Sequence, residues 1–251
     1  MILYEHPLNE RIRTWLRLEY LFDRLRQLLA RADAIDHHYA LLTLFELIEV
    51  IGRADLKSDV LQELARQKKY YAAFRDNPAV SKAALDNVIA RVEQAFSALN
   101  AQRRKPGQDM TANDWLMSVR RRAAVPAGTC GFDLPVYHAW LQQPTEARYG
   151  DLMRWADPFG PMAHAVTLLL QLLRESGQPQ QVSAQNGQYV QMLTPEKTCQ
   201  LLRLGIDPAL GLIPEISAHR LAVSINLTRR QADGKTRLTR ETAALELSLC
   251  G

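Results

Sequence analysis

The apolar residues change period once along this chain, and that change divides it into two kinds of structure. Up to Glu175 they recur at steps of three and four, the spacing that aligns side chains on one face of an α-helix. Later the period is two. Leu221, Val223, Ile225 and Leu227 alternate with Ala222, Ser224 and Asn226, and Leu245, Leu247 and Leu249 alternate likewise. Between the two regimes, Ser176 to Gln188 (SGQPQQVSAQNGQ) is polar, with Gly, Pro and five Gln, and reads as a boundary loop. The expected fold class is therefore α+β. An N-terminal α-helical domain over residues 1–176 is followed by a small C-terminal antiparallel β-strand domain over 177–251.

Local signals place the elements. Asn9 to about Ala30 carries Ile12, Trp15, Leu18, Leu21 and Leu25 on one broad helical face. His37 to Ile51 is strongly apolar and stops at Gly52. Ala54 to about Phe74 is amphipathic, and Ser81 caps a helix through Leu99. Thr111 or Asn113 caps another to about Ala124, Leu134 to Leu141 forms a short one with Pro135 in its first turn, and Pro158 to Arg174 forms the last. Leu201 to Ile206 and Gln188 to Leu193 read as further strands, and Asp233-Gly234 suggests a hairpin-like connection between the two alternating runs.

An apolar content of 47% in 251 residues suffices for a packed core. Cys130, Cys199 and Cys250 are far apart, odd in number and in no CxxC pair, which argues against a disulfide framework or a zinc knuckle and fits a reducing cytoplasm. The longest apolar run, Ala165 to Leu173, is too short to span a bilayer. The chain lacks HExxH, EF-hand, GxxxxGK[ST], GxGxxG and GxSxG patterns, so no metal or cofactor is expected. Gly128 to His138 (GTCGFDLPVYH) packs Cys130, Asp133 and His138 into nine residues. A Cys nucleophile needs its base placed in space, which sequence proximity does not provide, so the segment reads as a turn and helix start.

The arginines are more informative. Arg13, Arg17, Tyr20, Arg24 and Arg31 line one face of the opening helix, and neither Arg17 nor Arg24 has an acid three or four residues away. Arg120, Arg121 and Arg122 end a later helix, also without an acid at those spacings. Such residues suit an acidic partner, although a basic helix C-terminus is also favourable to the helix itself. Packed side by side, the two helices would make one basic pocket. The net charge of +4 is modest, so local clustering carries the electrostatic argument. A cytosolic nucleic-acid-binding protein using this surface is the alternative, though no nucleic-acid module is present.

Four stretches resemble one family. LYEHPLNERIRTWLRLEYLF (3–22) and VPAGTCGFDLPVYHAWL (125–141) are similar to segments of the cell division protein ZapD family; GRADLKSDVLQELARQ (52–67) and LIPEISAHR (212–220) match more loosely, in the family's order. The resemblance implies a non-enzymatic, dimeric cytoplasmic protein recruited to midcell. Such proteins bind the C-terminal tail of FtsZ, the bacterial tubulin homologue, and bundle its protofilaments. It implies no nucleic-acid or membrane partner. It also implies tail contacts from Arg17, Arg53, Arg120, Arg122 and His138. Arg13, Arg24, Arg121 and Arg220 complete the candidate set from the same segments and clusters. The chain departs from the family pattern at Ala222, Ser224 and Asn226, where arginines are expected, and at Asp114. Arg220, Arg229 and Arg230 are the cations that could compensate there.

Overall fold

The computed structural model describes residues 1–52, 55–193, 198–219 and 221–251. It divides into two compact units, Arg17–Leu169, and Met1–Leu16 together with Leu170–Gly251. The first is helical: α1 (Glu10–Leu29, from Arg17 onward), α2 (Ala34–Ile51), α3 (Leu56–Ala72), α4 (Lys82–Ala101), α5 (Gln108–Thr111), α6 (Asp114–Ala123), α7 (Pro135–Leu141), α8 (Thr145–Ala156), and α9 (Gly160–Glu175, through Leu169). N-terminal helices followed by antiparallel strands make the protein α+β, as the periodicity predicts.

Capping explains several helix starts. The side chains of Asp33, Ser81 and Asn113 accept from the backbone N–H of Ile35, Ala84 and Leu116, satisfying donors that the helix leaves free. α2 is the hub, buried along most of its length and packed against α6, α7 and α8. At its start lies a buried cation. Arg148 of α8 donates to the carbonyls of Ala32 (2.9 Å), Leu141 (3.2 Å) and Gln143, and its Nε donates to His37 Nδ1 at 3.2 Å. Burial lowers the His37 pKa, and the Arg148 charge lowers it further. His38 turns to another neighbour, the Tyr137 hydroxyl at 2.6 Å. Trp115, Tyr137, Trp140 and Trp155 form an aromatic cluster behind it.

The second unit holds the strands β1 (Ile2–Pro7), β2 (Gln180–Ala184), β3 (Gln188–Met192), β4 (Leu201–Ile206), β5 (Ile213–His219), β6 (Ala222–Arg230), β7 (Thr236–Leu238) and β8 (Ala243–Cys250). One antiparallel sheet has the order β1-β4-β8-β2, and the other β3-β6-β5 with β7 also on β6. Their inward residues share one core: Leu202, Leu204 and Ile206 of β4, Val223, Ile225 and Leu227 of β6, and Leu245 and Leu247 of β8. On β1, Glu5 receives Arg174 at 2.7 Å and Arg203 at 3.1 Å. Burial pushes the Glu5 carboxyl up, but the hydrogen bonds and charge of Arg174, with those of Arg203, outweigh it and hold the pKa low.

Three readings of the sequence are corrected here. The segment 176–188 is not all loop: it contains β2, which joins β3 through Asn186-Gly187. Both residues have positive φ (51° and 74°), as a type I′ turn requires. Asp233-Gly234 joins β6 to β7 rather than to β8, because β6 and β8 lie in different sheets. Leu221 precedes β6 and is exposed rather than part of its inward face.

Candidate functional site: a basic and apolar surface on the helical unit

The cations that the sequence presents as unpaired are in part held by acids from other elements. Arg24 of α1 donates to Thr43 Oγ1 at 3.0 Å and pairs with Glu46, both on α2. Its guanidinium carbon also lies 5.8 Å from the Tyr20 ring. Arg120 of α6 is 3.8 Å from Glu49, again on α2. α2 thus presents Glu46 and Glu49, one turn apart, to arginines arriving from two different helices. An arginine of each of the two basic helices, α1 and α6, reaches α2. Spacing rules that search three or four residues along one helix cannot find such pairs.

Arg121 and Arg17 are exposed and have no hydrogen-bond or ion-pair partner among the described residues. Arg122 reaches Asp133 at 3.7 Å. That contact ties the basic end of α6 to the turn before α7, which carries His138. The turn is well bonded: Gly128 N donates to Val125 O, Cys130 N to Ala127 O, and Asp133 N and Leu134 N both to Cys130 O. The Cys130 thiol donates to Asp133 Oδ2 at 3.4 Å. Gly131 lies under the His138 imidazole, where a Cβ would stand 3.2 Å from the ring.

From this turn Phe132 projects with 88% of its surface exposed, followed by Val136 at 65%. Sequence reasoning missed both. The only signal was an aromatic inside a Gly-flanked turn, a place where a core residue is not expected. Val125 and Tyr39 are also exposed, and both line a shallow cleft with His38, Pro126 and Thr129. The end of α6 and the turn after it therefore combine guanidinium groups in weak or no pairing with exposed apolar side chains on a well-bonded backbone. This surface suits a short partner segment that has both carboxylates and apolar side chains.

Arg13 lies in the other unit and pairs with Glu10 at 3.0 Å. Arg53 and Arg220 lie outside the described residues. On β6, Arg229 pairs with Glu241 at 2.9 Å, so one of the compensating cations of the strand unit is already engaged.

This is an α+β chain of two compact units with a basic, partly apolar helical surface, and no helix among its described residues is long and apolar enough to cross a membrane. The family model for ZapD, described as a cell division protein, matches residues 16–226. The chain belongs to that family.

Proposed function

We propose that this protein binds the C-terminal tail of FtsZ and, as a homodimer, cross-links FtsZ protofilaments and promotes Z-ring assembly at midcell. The observation that carries the reading is the end of α6. There, among the described residues, Arg120 and Arg122 are held only by long, part-exposed ion pairs, Arg121 by none, and Phe132 projects from the adjoining turn. Exposed pairs of this kind contribute little to folding, so their cations are available to another carboxylate. Arg17, Arg24 and His138 are candidates for further tail contacts, as are Arg13, Arg53 and Arg220. The tail supplies acidic and apolar residues on a flexible linker. Charge-assisted hydrogen bonds hold the carboxylates while Phe132 and Val136 cover the apolar side chains. Each contact is weak alone. A filament displays many tails, and a dimer with two surfaces gains avidity by engaging two of them.

Co-sedimentation with polymerised FtsZ, intact or lacking its tail, at two salt concentrations tests the proposal. Tail-dependent, salt-sensitive pelleting with bundles is the expected result. Pelleting that ignores the tail moves the contact elsewhere on the filament. No pelleting at either salt, together with salt-sensitive binding of an oligonucleotide, would replace this reading with the nucleic-acid one.

A further inference from the structure

The basic loop 103–105, which the α6 surface does not use, edges a separate cleft of about 680 Å³ within the helical unit. That size lies within the roughly 300–1,000 Å³ typical of ligand pockets. The lining brings buried Met110, half-buried Trp155 and Pro158 together with a rim of cations. On that rim, the exposed side chains of Arg103 and Lys105 have no hydrogen-bond or ion-pair partner among the described residues. Arg104 pairs with Asp109 at 3.1 Å, but both side chains are 76% exposed, so the pair exchanges readily for another carboxylate. Arg154 adds a fourth cation, paired with Asp151. Among the described residues, Asp109 is the lining's one acid.

The loop is anchored rather than loose. Lys57 Nζ donates to Gln102 O at 2.6 Å, and Gln102 Nε2 donates to Pro158 O at 2.7 Å. Gly107 is buried at φ 78°, and a Cβ there would stand 2.5 Å from the Ile48 side chain and 3.0 Å from the Phe159 ring. Only glycine allows this approach, which pins the loop onto α2. A loop fixed at both of its ends loses less backbone entropy on binding than a mobile one.

We propose that this cleft binds a second acidic peptide segment carrying apolar residues, so that one protomer holds two such segments at once. The identity of the segment as an FtsZ tail rests on the function proposed above; the chemistry of the cleft does not. Charge complementarity and the apolar floor favour a peptide. A single-stranded nucleic acid would need successive aromatic faces along a basic groove, and among the described residues this lining offers Trp155 alone.

The test is calorimetric titration of the full chain with a synthetic FtsZ tail peptide, at low and high salt. Wild type is compared with Arg103→Glu/Lys105→Glu and with Arg121→Glu, each checked for an unchanged melting temperature. Two peptides per protomer are expected, falling to one in either variant. One peptide per protomer, unaffected by Arg103→Glu/Lys105→Glu, overturns the cleft and leaves the α6 surface standing. One peptide lost in Arg103→Glu/Lys105→Glu but retained in Arg121→Glu keeps the cleft and overturns the α6 surface. No peptide bound by wild type overturns both. A single-stranded oligonucleotide that binds where the peptide does not, and is lost in the double variant, overturns the cleft proposal in favour of nucleic acid.

Discussion

Arg120 meets Glu49 across the contact between α6 and α2 at a separation of 3.8 Å, with Glu49 largely exposed. The distance is long for a hydrogen bond, and water competes for both groups, so the pair adds little to folding. It does compete with an incoming carboxylate for the same guanidinium. Glu49→Gln is therefore expected to change unfolding free energy by less than about 0.5 kcal/mol. It should tighten tail binding roughly two- to fivefold at low salt. Unchanged or weaker binding in titrations of a folded Glu49→Gln protein would remove Arg120 from the site.

Phe132 separates stability from binding in the opposite way. With 88% of its surface already in water, it contributes almost no burial to the fold. Phe132→Ala should leave the unfolding midpoint within about 0.5 kcal/mol of wild type. If the ring covers an apolar side chain of the tail, affinity drops by about 1–2 kcal/mol, close to the cost of losing an aromatic anchor. Equal affinity for both proteins would leave this turn out of the interface.

The buried Arg148 is a structural cation, and its removal should be felt as such. Arg148→Ala strands the carbonyls of Ala32, Leu141 and Gln143 and leaves a hole beside His37. A loss of about 3 kcal/mol or more is expected in denaturant unfolding. A variant as stable as wild type would show that water replaces the guanidinium without cost.

Protonation acts at the same place. His37 accepts from Arg148, and burial followed by the Arg148 charge holds its pKa below the ordinary 6.5. The unfolded chain then binds the proton more readily than the folded one. The contribution is fully present above about pH 6.5 and is lost as pH falls through the interval down to the folded value. His38, also lowered by burial, adds to the same slope. Unfolding midpoints measured at about pH 7.5 and 5 should differ, the acid value being lower. Coincident midpoints would contradict the assignment.

Glu5 titrates over a lower interval with the same sign. Its carboxylate is held down by Arg174 and Arg203, so its contribution is present above the ordinary 4.5 and fades as pH falls through the folded value. Glu5→Gln leaves two partly buried guanidinium groups without their acid and should cost about 1–3 kcal/mol at neutral pH. The acid sensitivity of the wild type below pH 4.5 should shrink in the variant. An identical acid limb in both proteins would refute the role given to this carboxylate.

Much of the fold was legible because burial imposes a period. α2, α4 and α6 fall close to where apolar spacing and the caps Ser81 and Asn113 put them, and β4 coincides with Leu201–Ile206. What was not legible depends on partners distant in sequence. β1 has no alternation that separates it from an irregular segment until β4 lies beside it. α8 is obscured because Arg148 is buried where periodicity expects an apolar residue. β2 and its Asn186-Gly187 turn were lost among the polar residues of a segment dominated by glutamine. The candidate surface shows the same division. The arginines are visible in the sequence, whereas Glu46, Glu49 and Asp133, which decide how firmly they are held, become relevant only through tertiary packing.

The pairing of β1 with β4 sets a timetable for biosynthesis. Pro7 faces Leu201, so the partners are 201 − 7 = 194 residues apart in order of synthesis. At ~5–20 residues per second a ribosome takes roughly 10–40 s to cover that distance. The whole of Arg17–Leu169, a compact unit by itself, emerges in the meantime. The first strand must wait through that interval with its hydrogen-bonding edge unmatched, and the unit it belongs to closes last. A stalled or shortened translation product that ends before Leu201 would therefore carry a finished helical unit and an orphan strand, the kind of open edge that chaperones hold and proteases find.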